Sequence, residues 1–309
     1  MRGYLLIATA AFFWGASATL GKLAFTGLLA ERAGEATLGP LILAQSRTSI
    51  AVLLLVPALF FLRGYSTIRL RPIEIVRCMV MGTVGLAASN FLYYYAIDKT
   101  SVATAIILQY TAPIWVLFYM VARGRQRATL KRAGSVFLVV VGAFLAVGVL
   151  QFGAVGHLVS LAGLRFDLLG VLATLAAALS FAFYNVYGSS LVNRHERWTV
   201  VVYAMAGAAL FWLLVNPPWK VVAAHYSGRQ WIFLGVFSLV SMLLPFSCYF
   251  AGLQYLDPTK AIVTSCLEPV FAILFAIVFV HEQPSWTQAF GMSIVLLGTI
   301  VVQLAENKD

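Results

Sequence analysis

Three charged side chains lie within long apolar stretches of this chain and are the first candidates for chemistry. They are Lys22, Arg47 and Glu268. A charge near the middle of a bilayer costs about 2.5–3.5 kcal/mol, so it faces a cavity or a partner. Glu268 could carry a proton or bind an ammonium group, while Lys22 and Arg47 could meet a carboxylate or phosphate. The alternatives are an ion pair of Glu268 with Arg47 or Lys22, and snorkelling of the two cations to the membrane surface.

Aromatic and amide side chains accompany these charges inside the apolar stretches. In lipid they need hydrogen-bond partners, and small-molecule pockets typically combine aromatic walls with a few polar groups. The predicted cavity and pathway candidates of this kind are Trp14, Asn90, Tyr94, Gln109, Tyr110, Tyr184 and Tyr249. An aromatic belt at the membrane interface is the alternative, and it is favoured for Tyr95, Trp212 and Trp219.

The composition excludes an ordinary soluble protein. Of 309 residues, 61% are hydrophobic and 10% are charged, and the mean hydropathy is +0.91, whereas soluble domains are about 25% charged. Three cysteines without a CxxC pair and four scattered histidines indicate neither a disulfide framework nor a metal site. Glu268 has no second carboxylate beside it in an apolar stretch. We therefore predict a membrane protein that is not an enzyme and needs no cofactor.

Ten apolar segments have the length that a membrane-spanning helix requires, about 20 residues. They cover residues 4–28, 40–62, 76–97, 101–122, 132–152, 168–191, 198–216, 230–254, 259–281 and 286–305. The predicted fold is therefore an all-α membrane protein of ten transmembrane helices. Pro113 and Pro269 lie inside the fourth and ninth segments and predict kinks, because proline removes a helical hydrogen bond.

The basic residues predict the orientation of these segments. Fourteen of the 21 Lys and Arg residues fall on the side that holds the N-terminus, and five fall on the opposite side. Because basic loops stay in the cytoplasm, both termini are predicted to be cytoplasmic. The net charge of +10 is thereby explained as a topology signal, and no nucleic-acid partner is expected.

An internal repeat divides the chain into residues 1–152 and 153–309, each with five segments. A shift of 156 residues places Tyr93 on Tyr249, Pro113 on Pro269 and Gly142 on Gly298, among other matches. Since five is odd, the second half must enter the membrane from the opposite side. Two inverted repeats are the architecture of many secondary transporters, which bind substrate near the midplane.

The chain also resembles EamA-type members of the drug/metabolite transporter superfamily over nearly its whole length. The residues that carry the resemblance are Trp14-Gly15, Lys22, Arg47, the run from Ala96 to Ala105 that leads to Pro113, Glu268-Pro269, Glu282 and Gly298. One departure is Gln126, which stands where an acid matching Glu282 would be expected. A mechanism with matched acids in both halves is therefore not expected. By resemblance, bacterial members mostly export amino acids or other small metabolites.

These observations predict a secondary transporter that moves a small zwitterionic or aromatic metabolite, such as an amino acid, by alternating access. Export and a bacterial inner membrane are implied by the resemblance. An organic-cation or drug effluxer is the alternative within transport, and a non-transporting scaffold or lipid-handling protein is the alternative from another class. The expected partners are the substrate and the bilayer, a proton is a candidate coupling ion, and small-residue ridges would permit a homodimer.

Overall fold

The structure is a computed structural model, which describes residues 1–25, 38–64, 69–99, 105, 108–147, 150–152, 158–161, 167–280 and 284–304. The side chain of Lys22 and the whole of Glu282 lie outside the described residues. The first half contains α1 (Arg2–Phe25), α2 (Pro40–Arg63), α3 (Pro72–Val80), the π-helix π1 (Met81–Ala87), α4 (Ala88–Lys99), α5 (Ala112–Ala122), α6 (Leu130–Ala146) and the strand β1 (Leu150–Phe152). The strand β2 (Leu158–Leu161), which pairs with β1, belongs to the second half.

The first helix of the second half is long, as is the first helix of the first half. The helices of the second half are α7 (Leu168–Val192), α8 (Arg197–Val215), α9 (Pro218–Ala223), α10 (Gly228–Ser238), π2 (Leu239–Leu243), α11 (Leu244–Leu253), α12 (Pro258–Ser265), α13 (Glu268–Phe275), π3 (Ala276–Val280) and α14 (Trp286–Leu304). The third segment is thus α3, π1 and α4, the eighth is α10, π2 and α11, and the ninth is α12, α13 and π3.

Local sequence explains where several helices begin. Proline occupies the first turn of α2 and of α3, where a missing N–H costs nothing. The Asp167 carboxylate caps α7 by accepting from the Gly170 N–H at 3.0 Å. Ser227 and Gln230 form a reciprocal capping box at α10. These caps satisfy backbone groups that a helix leaves unpaired at its end.

Eight helical stretches in the described part of the chain are long and apolar enough to cross a membrane. The helices of the fourth and fifth segments are shorter, since α5 has 11 residues and α6 has 17. The prediction that the fifth segment runs from 132 to 152 is wrong at its end. The helix stops at Ala146, and Leu150–Phe152 pairs as an antiparallel strand with Leu158–Leu161. Hydropathy cannot detect this end, because the strand's pairing partner comes later in the chain.

The packing of the segments follows a symmetric pattern. The third packs against the sixth and seventh, and correspondingly the eighth packs against the first and second. The fourth packs against the sixth as the ninth packs against the first, while the fifth and tenth pack along each other. The π-helices π1 and π2 also fall in the matching third and eighth segments. Exchanging the two halves therefore preserves these helix contacts.

The third and seventh segments approach each other closely through glycine. A Cβ atom on Gly82 would overlap the Ala204 carbonyl, and one on Gly207 would overlap the Met79 carbonyl. The Thr83 hydroxyl lies within hydrogen-bond distance of the Met79 carbonyl at 2.9 Å and, across the same contact, of the Gly207 carbonyl at 3.1 Å. Small residues permit such backbone contact between membrane helices, so these glycines determine how closely the two segments pack.

Candidate functional site

The fourth and ninth segments are each interrupted by a break between two helices. The ninth segment ends its first helix at Ser265, turns through Cys266 and Leu267, and starts α13 at Glu268. The fourth segment turns through Tyr110 and Thr111 before α5 starts at Ala112. Each new helix has proline at its second residue, Pro269 and Pro113. The predicted kinks are therefore full interruptions, and they lie at positions related by the 156-residue repeat.

The four-residue spacing of Lys260, Thr264 and Glu268 predicts one shared face if the ninth segment is a single helix, but the helix is broken before Glu268. Such alignment requires a continuous helix, and this helix ends at Ser265. The ammonium group of Lys260 instead forms an ion pair with the Asp257 carboxylate at 3.3 Å. Lys260 therefore belongs to the start of α12, whereas Glu268 starts the next helix.

Glu268 is half-buried at the N-terminus of α13. A negative charge is favoured at that end of a helix, where backbone N–H groups are unpaired. Among the described residues, its carboxylate has no hydrogen bond or direct ion pair. It lies within electrostatic range of the Arg47 guanidinium and of the hydroxyl groups of Tyr93 and Tyr110. The predicted structural ion pair with Arg47 is therefore absent as a direct contact in this part of the structure.

Arg47 is held by the third and eighth segments. Its guanidinium donates to the Asn90 side-chain oxygen at 2.6 Å, and Asn90 donates to the Leu86 carbonyl at 2.8 Å. The Ser238 hydroxyl donates to the Arg47 backbone carbonyl at 2.6 Å. The Nε atom of Arg47 is buried and has no hydrogen-bond partner among the described residues. One donor of this cation is therefore unsatisfied in this part of the structure.

Gln109 extends the polar site to the fourth segment. Its amide donates to the Ser89 hydroxyl at 3.3 Å, and Ser89 donates to the Ala177 carbonyl at 3.0 Å. The side-chain oxygen of Gln109 is buried and accepts no hydrogen bond within the described residues. Tyr94 is half-buried, with its ring centre 5.7 Å from that of Tyr93. We call the following residues the polar cluster: Arg47, Asn90, Tyr93, Gln109, Tyr110 and Glu268.

The remaining aromatic candidates form a packed cluster rather than an open wall. Tyr184 and Tyr249 are fully buried and Trp14 is 9% exposed. The Trp14 ring centre lies 5.3 Å from that of Tyr249, which stacks on Tyr184 at 6.4 Å. The Tyr249 hydroxyl donates to the Asn185 side chain. We call Trp14, Tyr184, Asn185 and Tyr249 the aromatic cluster.

Loss of the hydroxyl group should change the stability of the protein differently at the two tyrosines of the aromatic cluster. Tyr249→Phe leaves the buried Asn185 oxygen without its donor, so we expect a loss of about 1–3 kcal/mol of stability. Tyr184 is the matched control, because its buried hydroxyl has no partner in the described residues. Tyr184→Phe should leave the melting temperature in detergent unchanged or raise it. Equal destabilisation by both variants would contradict this assignment.

Trp212 shows where sequence reasoning failed. The membrane interface was favoured for it, yet it is 1% exposed and packs on Phe91 and Phe211. Helix orientation determines whether a tryptophan faces lipid or protein, and the apolar sequence of this segment does not specify it. Asn185, the hydrogen-bond partner of Tyr249, is not among the predicted candidates. The matching positions of Pro113 and Pro269 in the two repeats were the available signal for the helix breaks.

Helix α12 is packed tightly at one end of the polar cluster. All eight residues of Pro258–Ser265 are buried, and the Thr259 hydroxyl donates to the Gln126 side-chain oxygen at 2.8 Å. Beyond this contact lies a surface that carries Arg63, Arg77, Arg125, Arg194 and Arg197, which we call the arginine-rich face. Its helix ends are joined by contacts such as Arg63–Glu196 at 2.7 Å and His195–Glu74 at 3.0 Å. At this end of the polar cluster, α12 therefore packs against the fourth segment.

Long apolar helices around a partly charged interior define a multi-pass integral membrane protein. The model of the EamA-like transporter family matches residues 1–148 and 168–304. The chain belongs to this family and is a membrane transporter.

Full-length relatives carry transporter names as well. The chain is 24% identical to the Uncharacterized inner membrane transporter YicL of Salmonella typhimurium, with 98% of this chain and 95% of the relative covered. It is 24% identical to the Uncharacterized transporter YwfM of Bacillus subtilis, with 99% and 95% covered. A solved crystal structure that is 19% identical matches with a TM-score of 0.75 over 99% of both chains, which shows the fold alone.

Proposed function

We propose that this transporter binds a small zwitterionic metabolite, such as an amino acid, at the polar cluster and moves it by alternating access. The observation that supports this proposal is that a cation, Arg47, and an anion, Glu268, lie in the same cluster without forming a direct ion pair. Arg47 keeps a free donor for a carboxylate, and Glu268 keeps a free carboxylate for an ammonium group. The neighbouring Tyr93 and Tyr110 would provide the aromatic contacts of a small-molecule site.

The repeat supports the transport cycle that we propose. The symmetric contacts of the two halves and the family match to each half fit two inverted five-helix repeats. In such transporters one repeat rocks against the other about a central site of broken helices. We assign the arginine-rich face to the cytoplasm by the positive-inside rule. In this arrangement α12 and Gln126 form the cytoplasmic closure.

Export of the metabolite across a bacterial inner membrane is the proposed direction, on the resemblance to EamA-type exporters. A proton is the proposed coupling ion, because Glu268 is a half-buried acid at the helix break. The second candidate function is efflux of organic cations. The specific observation that favours it is Glu268 beside tyrosine rings, which can attract a cation.

A ligand screen by thermal shift tests the proposed substrate class. The purified protein is melted with amino acids, their deaminated acids, their amine analogues and organic cations. Because a ligand at 100 times its Kd adds about 2.7 kcal/mol of stability, we expect the intact amino acids to raise the melting temperature most. A shift with organic cations alone would replace the metabolite proposal with the effluxer. Equal responses to a zwitterion and its deaminated acid would contradict a role for both charges.

A further inference from the structure

A cavity lies at the arginine-rich face, and none of its lining residues belongs to the polar cluster. It has a volume of about 290 Å³ and lies between the third, fourth and sixth segments. Its polar lining consists of Arg77, Tyr119, Arg125, Tyr187, Ser190 and Arg194. We call this cavity the arginine pocket. The central transport site does not use any of these side chains.

The charges of the arginine pocket are only partly neutralised. Arg77 forms an ion pair with Glu74 at 2.5 Å, and Glu74 also contacts His195 at 3.0 Å. Arg125 and Arg194 have no carboxylate partner within the described ranges. Arg123 adds a further cation near the pocket, since its guanidinium lies over the Tyr119 ring at 5.7 Å. The pocket thus presents an excess of positive charge.

The chemistry of this lining suits a phosphate group. Guanidinium groups donate two parallel hydrogen bonds to phosphate oxygens. The hydroxyl groups of Ser190 and the two tyrosines offer further donors. The pocket lies at the ends of membrane helices, where α5 exposes Phe118 and Tyr119. Basic pockets between membrane helices at that depth bind acidic lipid headgroups.

We propose that the arginine pocket is a binding site for a phosphate-bearing anion, either an anionic phospholipid headgroup or a soluble phosphate. Arg125 and Arg194 hold the phosphate oxygens. Arg77 remains anchored to Glu74 and supplies the third cation. The occupied pocket links the ends of three segments that belong to different halves of the chain.

Native mass spectrometry of the full chain in detergent tests the lipid source, with phosphatidylglycerol and phosphatidylcholine as probes. We expect one phosphatidylglycerol to bind in preference to phosphatidylcholine. Arg125→Gln/Arg194→Gln should weaken this binding at least about tenfold. The matched control is Arg69→Gln/Arg71→Gln, which removes two exposed basic residues outside the pocket and should change binding less than about twofold.

Thermal-shift titrations of the same variants with glycerol phosphate and inorganic phosphate test the alternative ligand, a soluble phosphate. A shift that only Arg125→Gln/Arg194→Gln abolishes would support a soluble phosphate ligand. The variant Arg125→Lys/Arg194→Lys keeps the charge and should restore part of the binding, which also shows that loss is not due to misfolding. Equal losses in the pocket and control pairs, or no selective binding in either arm, would overturn the proposal.

Discussion

Glu268→Gln should lower the affinity for a zwitterionic substrate by about 30-fold or more, because removal of a charged partner in a desolvated site costs roughly 2–5 kcal/mol. The same variant should change the affinity for the deaminated acid less than about threefold. Isothermal titration of the detergent-purified protein measures both affinities. This difference arises because Glu268 would contact only the ammonium group of the ligand.

Glu196→Gln is the matched control for this charge change. Glu196 lies on the arginine-rich face, where it pairs with Arg63 and is largely exposed, so its variant should bind like the original protein. Arg47→Gln should show the reverse selectivity and weaken binding of the deaminated acid. Asn90→Ala removes the partner of Arg47 and keeps its charge, which separates positioning from charge. If Glu268→Gln weakened both ligands equally, the contact with the ammonium group would be refuted.

The same position tests the proposed coupling to protons. In proteoliposomes with an imposed pH gradient, Glu268→Gln and Glu268→Ala should both lose gradient-driven transport, since neither side chain titrates near neutral pH. Exchange of substrate without a gradient, measured at a substrate concentration above the weakened Kd of each variant, serves as the control for a correctly folded protein. If Glu268→Gln kept gradient-driven transport, this carboxyl could not be the proton carrier.

Gly82→Ala should destabilise the fold by about 3 kcal/mol or more, which is at the upper end of overpacking costs. The new Cβ atom would overlap the Ala204 carbonyl. Because that obstacle is backbone, it cannot rotate away as a side chain can, and the third and seventh segments must separate. The hydrogen bond from Thr83 to the Gly207 carbonyl would lengthen with them. We expect a melting temperature lower by about 5 °C or more.

Gly134→Ala is the control for this substitution, because Gly134 also lies within a helix but has open space around the position of a Cβ atom. Alanine favours a helix by up to about 1 kcal/mol over glycine, so this variant should keep or raise the melting temperature. Size-exclusion profiles of both variants monitor aggregation. Equal melting temperatures would mean that the third and seventh segments do not pack as closely as the structure shows.

The sequence by itself determined the class of this protein. A bilayer requires about 20 apolar residues per helix and internal satisfaction of every backbone hydrogen bond, so composition and segment length predict a multi-pass helical protein. Its motifs also indicated the family, which the family match to residues 1–148 and 168–304 confirms. Glu268, Arg47 and Asn90 were identified as candidates because polar groups are costly in lipid.

Only the tertiary structure decided how these residues are arranged. Hydropathy averages over a window, so it did not reveal the turn at Cys266 and Leu267 or the strand that follows Ala146. Helix orientation placed Trp212 inside the bundle and Tyr249 against Asn185, since apolar residues cover every side of these helices. The separation of Arg47 from Glu268 also depends on three segments that are distant in sequence. Pairwise contacts of this kind arise from packing, which composition and local spacing do not specify.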